Sequence, residues 1–160
     1  MNAAIRCLSV AITLATGGTA LAAPKPFSES FKMHGGATYQ VGLRQDDLAR
    51  LNDRSFQRYG HWGAGGAQAS FCTSSFTVRR RGGVVRVAGK AFVDLCNVHS
   101  VQLSERSDLF VVALSGGDAG DSFTAEFLFR GVYLMERMVR HGEFPEVYER
   151  TLYRYNTGER

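Results

Sequence analysis

Tyr59-Gly60-His61-Trp62-Gly63-Ala64-Gly65-Gly66 holds the only tryptophan of the chain and sets it among glycines. An indole presented on such a loop can stack on a sugar or an apolar ligand, which makes Tyr59, His61 and Trp62 the ligand-binding candidates. The competing expectation is that Trp62 plugs one end of a β-domain and the glycines only make the connection. Arg79-Arg80-Arg81, followed by Arg86 and Lys90, lines up cations on one predicted hairpin with no acid until Asp94. Such a tip suits a phosphate, an acidic glycan or an acidic protein, so Arg79, Arg80, Arg81 and Arg86 are candidate contacts to an anionic partner. The plainer reading is solubilising charge at a hairpin tip.

Other chemistries find less support. His34, His61, His99 and His141 are not spaced as a metal pair on one helix or strand, and no metal site or cofactor is expected. Gly116-Gly117-Asp118-Ala119-Gly120-Asp121 is a single copy of a pattern that holds calcium only in stacked repeats. No Gly-x-Ser-x-Gly elbow, phosphate loop or dinucleotide fingerprint occurs, and no catalytic residue is assigned. Glu143, Glu146, Glu149, Asp46 and Asp47 are the carboxylates available for acid–base work, which with His61 and His99 keeps a small envelope hydrolase as the alternative to a non-enzymatic binding protein. Gly60-His61-Trp62 is similar to the short Gly-x-Trp signature of lipocalins over three residues. In that family the motif opens the first strand, against which Gly63, Gly65 and Gly66 argue, and no family is assigned.

Where this chemistry operates is written in residues 1–22. Arg6 gives a positive start, Cys7 to Leu14 an apolar run too short to span a bilayer, and Ala20-Leu21-Ala22 a small-x-small cleavage site. The expectation is a signal peptide, removed to leave residues 23–160 as a single domain in the periplasm or outside the cell. Arg6 is the only charge that leaves with it, and the mild basic excess that stays is no nucleic-acid footprint. No later apolar segment is long enough for a membrane helix. Cys72 and Cys96, the cysteines that stay, should then pair in an oxidising compartment. Partners would be an apolar ligand, an envelope glycan or a protein.

The elements that must position these groups are strands. From Ala69 onward apolar and polar residues alternate: Cys72, Phe76 and Val78, then Val85, Val87, Ala91, Val93 and Leu95, then 98–103, 109–114 and 123–129, with an aromatic-rich end at 148–155. This predicts an all-β fold, an antiparallel meander barrel or two-sheet sandwich. A Gly82-Gly83 turn would pair Val78 with Val87. Cys96 then has the wrong parity to face Cys72, which requires either a bulge at Gly89 or a strand that ends near Leu95. Residues 37–43 read as a further strand, and 46–56 as a short helix with Asp46 as N-cap. Residues 122–141 also fit an amphipathic helix, which would make the fold α+β, but Gly131 and the aromatic run favour strands.

Overall fold

The computed structural model describes residues 8–11, 24–48, 61–64, 71–81, 83–87 and 91–155. They form two antiparallel sheets. One is four-stranded, in the order β2 (Phe27–Lys32), β3 (Thr38–Asp47), β4 (Phe71–Arg80), β5 (Gly83–Arg86). The other is six-stranded, in the order β1 (Leu8–Ala11), β6 (Val98–Arg106), β7 (Leu109–Gly116), β8 (Phe123–Arg130), β9 (Tyr133–His141), β10 (Val147–Leu152). The fold is thus an all-β two-sheet sandwich, and β6 to β10 run as the expected meander.

Alternation decides what each strand buries. Phe123, Ala125, Phe127 and Phe129 of β8 point into the sandwich, and their partners across it include Tyr39, Val41 and Leu43 of β3 and Phe76 and Val78 of β4. Phe76 meets the edge of Phe127 at 4.9 Å between centroids, and Tyr39 stacks on Phe110 at 4.2 Å, the offset and edge-on geometries that aromatic quadrupoles favour. The outer face of β7, β8 and β9 carries a smaller apolar cluster of Val111, Leu128 and Met138. β8 and β9 turn tightly, Arg130 pairing with Tyr133, and Gly131 supplies the left-handed φ of +61° that the turn needs. That hairpin occupies 122–141, and among the described residues no α-helix appears.

Three expectations are corrected. Asp46 is not a helix cap: β3 runs on through Asp46 and Asp47, which pair with Cys72 and Phe71, because buried Gln45 ties the strand to the backbone of Val98. Residues 49–56 of the predicted helix lie outside the described residues. The hairpin register is shifted by two, Val78 facing Val85 instead of Val87, because pairing already closes at Arg80 opposite Gly83. The strand expected to reach Leu95 stops at Arg86, and Ala91 to Asp94 form turns before Cys96 meets Cys72 in an antiparallel bridge. The disulfide between these two fully buried cysteines is present.

Candidate functional site

Residues 94–97 organise one end of the sandwich. On one side Thr73 N–H donates to Leu95 O and Asn97 N–H to Phe71 O, binding the segment to the start of β4. On the other, Trp62 N–H donates to Asp94 O at 2.7 Å and Cys96 N–H to Trp62 O at 2.9 Å, which makes Trp62 a strand-like partner of Leu95. The Asn97 side-chain amide donates to Gly63 O at 2.7 Å. Trp62 is therefore fixed from both directions, and its half-buried ring rests against the core. Gly63 gives the loop close approach instead of freedom. Its φ is +76°, and a Cβ there would fall 2.6 Å from the Cys96 carbonyl oxygen.

Around that ring stands a group of aromatics that lies far away in sequence. Tyr148 of β10 lies 5.9 Å from Trp62, His141 of β9 lies 6.0 Å from Tyr148, and Phe144 lies 5.1 Å from His141, all between ring centroids. Phe144 and Tyr148 are more than half exposed, at 54% and 57%. The His141 ring is steadied by contact with Gly120 O at 2.9 Å. Exposed aromatics gathered in one place form the kind of surface that binding sites use.

A buried arginine holds β10 in place beneath that face. Arg137 of β9 is opposite Phe127 and so points inward, where its side chain is 4% exposed. One of its amino groups lies 2.6 Å from Asp94 Oδ2 and the other 2.5 Å from Glu149 Oε1, tying β9, the 94–97 segment and β10 together. Burial raises the pKa of Asp94 above the ordinary aspartate value, and the neighbouring Arg137 offsets part of that rise. Burial likewise raises Tyr153, which packs beside the same cluster. Asp94 and Glu149 are thus engaged in charge neutralisation, which leaves them poorly suited to acid–base chemistry.

The sequence candidates divide between the two ends of the sandwich. His61 and Trp62 belong to the aromatic end, while Tyr59 lies outside the described residues. Arg79, Arg80 and Arg81 are exposed at the opposite end, beside the β8–β9 turn, and line a groove of about 400 Å³ with Thr38, Gln40 and Gly83. The backbone of Arg86 pairs with Thr77 and its side chain is outside the description. The length of β8 separates the two ends by roughly 23 Å at about 3.3 Å per residue. Among the other candidates, His34 contacts Glu105 at 2.8 Å and His99 is exposed. Among the described residues no cluster of three or more His, Cys, Asp or Glu could hold a metal, and no helix is long and apolar enough to cross a membrane. Sequence reasoning missed His141, Phe144 and Tyr148 as partners of Trp62. The aromatic density near the C-terminus was visible, but nothing local says which loop it folds against. Compared with family models, curated proteins and solved structures, the chain matches none.

Proposed function

We propose that this chain is an exported, non-enzymatic binding protein whose aromatic face recognises a saccharide of the cell envelope. The observation that carries the reading is the Trp62–Tyr148–His141–Phe144 face, exposed at its rim and fixed from below by Arg137 and the 94–97 segment. Sugar rings present flat C–H faces that stack on aromatic platforms, and a platform held in place before binding loses little entropy on complex formation. The hydrolase alternative is less favoured: Asp94 and Glu149 already neutralise Arg137, and Glu143 and Glu146, which flank Phe144, stand exposed to solvent. The disulfide supports export, and cleavage after residue 22 would remove the edge strand β1 (Leu8–Ala11) and leave β6 as the edge of its sheet.

Trp62 is the only tryptophan, so its fluorescence reports on the site without labelling. Titration with soluble envelope oligosaccharides should shift that emission, and Tyr148→Ala should weaken binding about 2- to 10-fold, the size of one aromatic contact. Wild-type protein that ignores every saccharide, or a Tyr148→Ala variant that binds as well, overturns the reading. Export has its own check: intact-mass measurement of the secreted or periplasmic protein should find a chain beginning at Ala23, and a species retaining Met1 to Ala22 would refute it.

A further inference from the structure

We propose that the groove at the opposite end is a second site, one for a phosphate group carrying two or more negative charges. Register sets Gln40 across from Arg79 on the outer face and Tyr39 across from Arg80 on the inner one, and at the strand ends Thr38, Gln40, Arg79, Arg80 and Arg81 line one groove. Arg80 lies over the Tyr39 ring, 5.9 Å from guanidinium carbon to centroid, a cation–π contact. The Tyr39 hydroxyl donates to Gly131 O at 3.0 Å, which locks the ring under the guanidinium. A Cβ on Gly131 would lie 3.3 Å from Arg80 Nη1, so the bare backbone of that turn leaves the arginine its room. Arg80 is thus placed before any ligand arrives.

Charge points the same way. Arg44, Arg106, Arg130, Arg137, Arg140 and Arg150 each have a carboxylate within ion-pair distance. Among the described residues Arg79, Arg80, Arg81 and Arg154 form no ion pair, and the first three are consecutive and repel one another. Such a run is relieved by an anion with several acceptor oxygens. Guanidinium forks match phosphate geometry, and the Thr38 hydroxyl and Gln40 amide add neutral donors. The groove is large enough for a diphosphate or a phosphorylated sugar. The ligand has two possible sources, a soluble phosphate compound or a phosphorylated lipid headgroup, and both present the same group. The site is independent of the saccharide reading, since it uses no residue of the aromatic face.

Calorimetric titration of the mature protein with pyrophosphate, and co-sedimentation with phosphatidylcholine vesicles containing phosphatidic acid, test it at physiological salt. Binding to pyrophosphate assigns a soluble ligand; binding to the vesicles alone assigns a headgroup. Arg79→Gln/Arg81→Gln should lower affinity about tenfold or more, as loss of charge-assisted hydrogen bonds predicts. Arg80→Lys should also weaken binding, because the charge remains but the fork is lost. Arg44→Gln, on the same sheet outside the groove, should change nothing. The proposal is overturned if neither probe binds, if Arg44→Gln costs as much as the groove variants, or if Arg80→Lys binds like wild type.

Discussion

Arg137 and Arg81 carry the same guanidinium, and the sandwich treats them in opposite ways. Arg137 faces inward from a central position of β9 and is closed in by Asp94, Glu149 and the aromatic core. Arg81 stands at a turn, exposed, beside two further arginines. A buried charge survives only when its partners move inside with it, so the first arginine is committed to architecture. An exposed charge loses little by being unpaired, so the second remains free for a partner from solution. Residue type alone does not separate the two roles; place in the fold does, an inward strand position for Arg137 and a turn for Arg81.

The comparison can be broken most forcefully by exchanging each arginine for methionine. Arg137→Met leaves the largely buried Asp94 carboxylate without its partner and should destabilise the fold by about 3 kcal/mol or more in denaturant unfolding, the usual cost of breaking a buried pair. Arg81→Met should stay within about 0.5 kcal/mol of wild type, as surface substitutions do. Equal losses would show that the buried cluster is no clamp.

A smaller effect sharpens the same contrast. Burial raises the pKa of Asp94, so the folded protein holds that proton more tightly than the unfolded chain. The stabilisation from this group is fully present below the ordinary aspartate value and declines as pH rises through the raised one. The stability of wild type relative to Asp94→Asn should therefore fall as pH climbs out of the ordinary aspartate range, then level off. Thermal unfolding of both proteins across a pH series measures it, and a difference that grows with pH would show that the attraction of Arg137 outweighs desolvation.

The strands were legible because period-two patterning is local. Residues 98–103, 109–114 and 123–129 stand out through alternation, whereas β9 does not: 122–141 also fits a helix, in which Gly131 reads only as an interruption. β2 was passed over although Phe27 and Phe31 alternate with Ser28, Ser30 and Lys32, because one short segment carries little weight before its neighbour β3 is known. Asp46 misled: an acid before an apolar residue resembles a cap, and only the long-range bond from Gln45 to Val98 shows the strand continuing. Trp62 was visible as a candidate, but its partners Tyr148 and His141 are brought to it by the order of strands in a sheet, which no spacing encodes. The burial of Arg137 follows from its pairing opposite Phe127 on the inner face of the sheet, a cross-strand register that no local spacing encodes.

Cys96 itself donates its backbone N–H to Trp62 O, so the covalent bond to Cys72 falls within the same short stretch that holds the indole on one side and β4 on the other. Opening this bond leaves only the hydrogen bonds of Thr73, Asn97 and Phe71 to tie that stretch to β4, and so slackens the floor of the aromatic face. A chain kept in reducing surroundings would hold its recognition surface unfinished, and would complete it on reaching an oxidising one. Ligand capture would then be timed by arrival, with no separate switch.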